Sequence, residues 1–144
     1  MIIINIIDGA KFLVFLSYKN MKSLTPLKLQ KILYLAQGWS YAWDNKPLFM
    51  NSFCFCAWEY GPVNIEVYNY FKKYGRSEIP KDEALTNIAD ESAKKTLEAV
   101  WKMYCNYDAL KLTSIVCDQT PWINAFQNET IIRNEDIKEY FQSL

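Results

Sequence analysis

Four cysteines are the side chains of this sequence best suited to metal binding or nucleophilic chemistry. They are Cys54, Cys56, Cys105 and Cys117. Cys54 and Cys56 lie two residues apart in a segment typical of a β-strand, so both would point to the same face. No pair has the C-x-x-C spacing typical of zinc sites, so we interpret all four as small buried apolar side chains. A four-cysteine zinc site is the alternative. We expect no zinc, no disulfide and no other cofactor.

Catalytic side chains are hard to assemble from this sequence, because it contains no histidine. Histidine is the usual general base and the commonest metal ligand. Cys117 stands beside Asp118 without an imidazole to activate it. The acid pairs 90–91 and 135–136 lie at predicted helix starts, where negative charge stabilises the helix. We therefore predict no catalytic residues and no enzymatic activity, with a thiol enzyme that uses Cys54 or Cys117 as the alternative.

The charge balance argues against a general attraction to polyanions. Lysine plus arginine and aspartate plus glutamate number 16 each among 144 residues, so the net charge is zero. We therefore do not expect nucleic acid as a partner, although a nucleic-acid-binding regulator with a local basic face stays an alternative. The apolar start, 1–7, is too short to span a membrane and lacks signal-peptide features. We expect a cytoplasmic protein with free thiols and one domain, 1–144.

Capped apolar stripes predict that most of the chain is helical. The fold class we predict is mainly α, a single compact helical domain with a small two-stranded β element. The predicted helices are 9–21, 26–43, 63–74, 91–104, 109–117, 121–126 and 135–144. N-caps are predicted at Asp8, Thr25, Asp90, Asp108, Thr120 and Asn134. We predict that nine apolar residues are buried together: Leu29, Ile32, Leu33, Ala36, Phe71, Leu97, Val100, Trp101 and Phe141.

One segment changes from helical periodicity to alternation. Residues 52–58 have apolar side chains on both faces, which predicts a short strand covered on both sides. The β-branched segment 130–133 is its candidate partner. Gly61-Pro62 is interpreted as the turn into the third helix. Residues 76–89 form a polar connection that could be a flexible loop.

Several ordered segments together resemble the Panacea domain, also called the SocA-like antitoxin domain. The first, 25–38, contains Lys28-Leu29-Gln30-Lys31 and ends in a small residue. The second, 57–63, contains Tyr60-Gly61-Pro62-Val63, and the closing segments are Pro121-Trp122 and 137–141. Many members of the family carry Thr-His shortly before the Pro-Trp, where this chain has Val116-Cys117. The missing histidine favours binding over catalysis.

The resemblance implies an antitoxin of a toxin-antitoxin pair, often encoded on a prophage or another mobile element. Such domains are expected to neutralise a cognate toxin by direct protein contact. One related system acts as an adaptor that delivers its toxin to a Clp-type protease, so sequestration and delivery both stay open. The alternative is a prophage or mobile-element protein that binds a host protein.

Five residues of the two main signatures are the candidate partner-binding residues. Lys28 and Lys31 lie away from the centre of the apolar stripe of the second helix. Tyr60 lies in a turn that can project from a rigid framework. Tyr34 and Tyr68 could belong to both the core and this surface. We predict that all five contribute to toxin binding; the alternative is that they fix the second helix against the turn through hydrogen bonds and packing.

Overall fold

Helices make up most of the described chain in the computed structural model, which describes residues 4–49, 55–128 and 130–144. Short 3₁₀ turns lie at Lys72–Tyr74 and Lys81–Glu83, between the third and fourth helices. The helices are α1 (Ile6–Lys19), α2 (Pro26–Asp44), α3 (Ile65–Phe71), α4 (Glu91–Tyr104), α5 (Ala109–Cys117), α6 (Thr120–Gln127) and α7 (Asn134–Gln142). The strands are β1 (Phe55–Trp58), β2 (Gly61–Val63) and β3 (Ile131–Ile132). The predicted fold class, mainly α with a small β element, is confirmed.

Three of the predicted helix caps are confirmed by hydrogen bonds. The Thr25 hydroxyl accepts a bond from the Lys28 backbone N–H at 3.3 Å. The Asp90 carboxylate caps α4, and the Asp108 carboxylate accepts from the Lys111 N–H at 2.8 Å. These bonds satisfy backbone donors that the first helical turn leaves without partners.

Other helix starts differ from the prediction by a few residues. Helix α1 begins at Ile6 because Asn5 caps it, so Asp8 lies inside the first turn. Helix α3 begins at Ile65, since Asn64 accepts a bond from the Val67 N–H and the residues before it belong to β2. Propensity alone does not show which of several adjacent cap-forming residues will be used.

Among the described residues, the small sheet has three antiparallel strands in the order β2–β1–β3. The predicted pairing of 130–133 with the strand is confirmed, with Phe55 opposite Ile132. The predicted strand residues 52–54 lie outside the described residues. The prediction of two strands missed β2, in which Gly61 pairs with Trp58. Gly61 has a φ of 118°, which permits the tight reversal and which other residues rarely adopt.

Helix α2 lies in the middle of the molecule, and every residue from Lys28 to Gly38 is buried. Helices α1, α3, α4, α5 and α7 and strand β2 all pack against it. Lys28 and Lys31, predicted to lie away from the centre of the apolar stripe and to reach a partner surface, are buried, because neighbours cover all sides of the helix. The close approach of α7 requires Gly38, since a Cβ there would overlap the ring of Phe141. The nine predicted core residues all belong to the buried apolar cluster.

The connection 76–89 is anchored to the rest of the fold. Ile79 and Ile88 are buried in the apolar cluster. Glu83 accepts hydrogen bonds from the hydroxyls of Tyr70, at 3.0 Å, and Tyr74, at 2.5 Å. Its carboxylate also lies 3.7 Å from the Lys11 ammonium. These contacts attach the connection to α1 and to the end of α3.

The burial of Trp101 predicts a large loss of stability on truncation. Its ring is 3% exposed, and its indole N–H donates to Asn20 at 3.1 Å. Trp101→Ala should lower the free energy of unfolding by about 3–5 kcal/mol, as measured by chemical denaturation. Trp43→Ala is the matched control: Trp43 is 45% exposed and stacks on Trp39, so its truncation should cost only about 1 kcal/mol. An unchanged midpoint for Trp101→Ala would contradict this core.

Candidate functional site

The first lysine of the α2 signature holds the end of another helix. The Lys28 ammonium donates to the backbone carbonyl of Cys105, at the C-terminus of α4, at 2.7 Å. It also lies 5.6 Å from the centre of the Trp101 ring. Burial lowers the pKa of Lys28 below its usual value. The partial negative charge at a helix C-terminus and the face of an aromatic ring both favour a cation at this position.

Gln30 fixes the junction between the hairpin and α3. Its side-chain amide donates to the carbonyl of Asn64 at 3.1 Å, and its carbonyl accepts from the Asn64 N–H at 2.9 Å. Because the side chain of Asn64 caps α3, this two-bond contact locates both the end of β2 and the start of α3. The pairing satisfies both backbone groups of a buried residue.

Tyr34 and Gln37 hold two further segments. The Tyr34 hydroxyl donates to the side-chain carbonyl of Gln119, just before α6, at 2.8 Å. Its ring packs edge-on against Phe55, and complete burial raises its pKa far above the usual value. The Gln37 side-chain carbonyl accepts from the N–H groups of Leu48 and Phe49 at 2.9 and 3.0 Å. Helix α2 thus positions the chain on either side of the sheet.

Lys31 is the exception among these side chains. Its ammonium is fully buried and forms no hydrogen bond within the part of the chain that the structure describes. It lies under the hairpin, 3.2 Å from the point that a Cβ on Gly61 would occupy. Burial lowers the pKa of Lys31 to about 8, and the nearby Cys117 opposes this shift weakly. The amine is therefore still mostly protonated at pH 7, but it loses its proton at a lower pH than an exposed lysine does.

Exposed aromatic side chains of the hairpin and of α3 lie near Lys31. Tyr60 is 64% exposed, and Trp58 and Tyr68 are about two-fifths exposed. The Trp58 and Tyr68 rings meet edge to face, 5.0 Å apart. We call these three residues and Leu27, which is exposed at the start of α2, the hairpin surface. The surface borders a groove of about 450 Å³ between α2 and α3.

Bonds to neighbouring elements hold the backbone of the hairpin surface. The carbonyl of Trp58 accepts from the indole N–H of Trp122 at 2.9 Å. The Thr113 hydroxyl of α5 donates its one proton mainly to the Ala109 carbonyl, at 2.8 Å, and also lies 3.4 Å from the carbonyl of Tyr60. Trp58 and Tyr60 are thus presented by a backbone that α6 holds through Trp122 and that α5 contacts through Thr113.

The structure separates the five predicted partner-binding residues into two groups. Tyr60 and Tyr68 lie on the hairpin surface, whereas Lys28, Lys31 and Tyr34 are buried. For the buried three, their placement favours the alternative, in which they hold α2 against other segments. The binding role of all five stays a prediction.

Sequence analysis missed Trp58 as a surface residue. The strand was expected to be covered on both faces, yet Trp58 is half-exposed at its last position. Its place directly before the turn at 59–60 was the available signal, because the end of a hairpin extends beyond the elements that cover it.

The described residues contain no cluster of metal ligands and no helix that could span a membrane. Within 4–49, 55–128 and 130–144, no group of three or more histidine, cysteine, aspartate or glutamate side chains could hold a metal ion. Cys56, Cys105 and Cys117 carry free thiols, and burial raises the pKa of Cys56 and Cys117; Cys54 lies outside the described residues. Over the same ranges, no helix has the length and apolar character needed to cross a bilayer.

Lys31 predicts a specific pH dependence of stability. Because its folded-state pKa of about 8 lies below the usual 10.5, the cost of burying its charge is fully present below pH 8. That cost, about 3 kcal/mol, should disappear as the pH rises from about 8 to 10.5. Lys31→Met should therefore be more stable than the natural protein at pH 7, and the difference should shrink towards pH 10.5, as measured by urea denaturation. Lys95→Met, at an exposed site, is the control and should leave the pH profile unchanged. A difference between the natural protein and Lys31→Met that does not vary with pH would contradict the assignment.

Comparisons with known proteins identify the family. A family model described as "Antitoxin SocA-like, Panacea domain" matches residues 29–123, about two thirds of the chain. The match begins in α2, contains the whole β1–β2 hairpin and ends in α6. Searches of curated proteins and of solved structures found no match. The resemblance carried by the α2 and hairpin signatures is confirmed, and this chain belongs to the SocA-like antitoxin family with a Panacea domain.

Proposed function

We propose that this protein neutralises a cognate toxin by direct binding in the cytoplasm, and that it does so without catalysis. Family membership supports an antitoxin role. The observation that carries the binding role is the hairpin surface, where Trp58, Tyr60 and Tyr68 expose large rings beside one another. Aromatic side chains of this kind dominate the binding energy of protein interfaces.

The support beneath the hairpin makes this surface suited to tight binding. Gln30 fixes the end of β2, and the indole N–H of Trp122 holds the start of the turn through the carbonyl of Trp58. A surface that is ordered before binding loses less conformational entropy when a partner arrives. The same rings on a mobile loop would bind more weakly.

Two modes of neutralisation follow from direct binding. In the first, the antitoxin sequesters the toxin; in the second, it delivers the toxin to a Clp-type protease. Toxin abundance in cells separates them, because delivery lowers the amount of toxin only when the protease is present. Sequestration leaves the amount unchanged in both strains. The gene neighbouring this one, on a prophage or another mobile element, is the first candidate for the toxin.

Co-expression tests the proposal. The neighbouring gene product should arrest growth alone, and this protein should restore growth and co-purify with it at a fixed ratio. Growth arrest that persists, with no complex on affinity purification, would overturn the pairing.

Point variants separate contact from support. Tyr60→Ala should keep its melting temperature but lose neutralisation, because its exposed ring contributes to contact and not to folding. Lys28→Ala should lose thermal stability and neutralisation together, because it removes a buried bond to the end of α4. Tyr107→Ala, at an exposed tyrosine away from the hairpin surface, should change neither property. A folded Tyr60→Ala/Tyr68→Ala protein that still neutralises the toxin would remove this surface from consideration.

A further inference from the structure

The groove beside the hairpin surface has apolar walls and a basic rim. Six of its lining side chains are exposed: Leu27, Trp58, Tyr60, Tyr68, Lys72 and Arg76. Buried side chains of β2 and α3, including Val63 and Val67, form its floor. Its volume of about 450 Å³ suits one or two apolar side chains with a short stretch of backbone.

The charges of the groove are all of one sign. Lys72 and Arg76 line it, and no aspartate or glutamate does. Neither cation forms an ion pair with an acid within the described ranges, in contrast to the nearby Lys73, which lies 3.9 Å from Glu83. Because the net charge of the chain is zero, this positive rim is a local feature. A local field of this kind favours an anionic ligand and repels a cationic one.

We infer that the groove binds an extended acidic segment of a partner protein, with an apolar side chain of that segment seated between Trp58, Tyr68 and Leu27. Carboxylates that flank the apolar side chain pair with Lys72 and Arg76 at the rim. The inference rests on the proposed function, since it takes this segment to belong to the toxin. The apolar contact supplies most of the affinity, and the two ion pairs supply orientation and choice of partner.

The same observations disfavour single-stranded nucleic acid as the occupant. A nucleic acid needs a basic path that follows several phosphates, together with rings on which successive bases stack. The groove offers two cations at one end, and its two closest rings, Trp58 and Tyr68, meet edge to face at 68° and so do not form a flat platform. A peptide with one apolar anchor fits this shape better.

Selection from a random peptide library tests the inference without the toxin. Purified full-length protein is used to enrich binding peptides from a display library. The enriched peptides should combine an apolar or aromatic residue with flanking aspartate or glutamate. Lys72→Glu/Arg76→Glu should weaken the strongest of them about tenfold and should enrich basic peptides instead, because the rim charge is reversed. Lys95→Glu/Lys102→Glu, which makes the same charge change on the exposed face of α4, should behave like the natural protein.

The outcomes separate this inference from the proposed function. Enrichment of uncharged or basic peptides by the natural protein, or no enrichment, would overturn the acidic-segment inference. So would a labelled single-stranded oligonucleotide that binds the groove and displaces the enriched peptides. Toxin neutralisation that survives Lys72→Glu/Arg76→Glu would overturn the inference and leave the antitoxin function intact. Acidic peptides that bind the groove, with no toxin neutralised by the natural protein, would support the groove chemistry and count against the function.

Discussion

The fold depends on one helix that is buried on all sides and yet carries polar side chains. Lys28, Gln30, Tyr34 and Gln37 of α2 each reach a different segment, and three of the four bond to main-chain groups there. A buried polar group without a partner costs about 1–3 kcal/mol, so each segment is held where it satisfies its bond. The α4 end, the β2–α3 junction, the turn before α6 and the chain after α2 are therefore all positioned relative to one element.

The buried polar residues of the α2 signature hold the segments that carry the hairpin surface. None of these polar residues belongs to that surface. Helix α2 supports the hairpin from below, and the hairpin presents Trp58 and Tyr60 to solvent. Under the proposed function, the signature serves binding indirectly, because it holds the segments that carry the hairpin surface. Lys31 is the one member without a compensating bond within the described ranges, and its buried charge weakens the fold directly beneath the hairpin. Burying an unpaired charge lowers the stability of the fold, and here that loss arises directly beneath the hairpin surface.

Periodicity and capping residues predicted most of the fold, since both act within one or two turns of chain. Thr25, Asp90 and Asp108 were correctly placed as caps because each bonds to its own helix. The surroundings of α2 could not be predicted, because an apolar stripe does not show how many neighbours a helix has. A long lysine side chain such as Lys28 can be buried when its ammonium donates to a backbone carbonyl. That carbonyl belongs to a segment distant in sequence, so the local pattern does not show it. Strand β2 was missed because a Gly-Pro pair is typical of turns as well as of edge strands.

Only part of the candidate site could be predicted from the sequence, because burial depends on contacts between residues that are distant in sequence. Tyr60 was placed on a surface from local turn geometry. Tyr34 and Tyr68 were both predicted to be shared between core and surface, and the complete burial of Tyr34 was missed because its partner Gln119 lies 85 residues away. The central claim is that α2 supports the hairpin and that the hairpin surface binds the toxin. Amide hydrogen exchange with and without the toxin tests it most directly. The account predicts new protection at the hairpin turn, α3 and the 3₁₀ turn after it, with no new protection in α4 or α7. Protection confined to α4 and α7, with an unchanged hairpin, would contradict it.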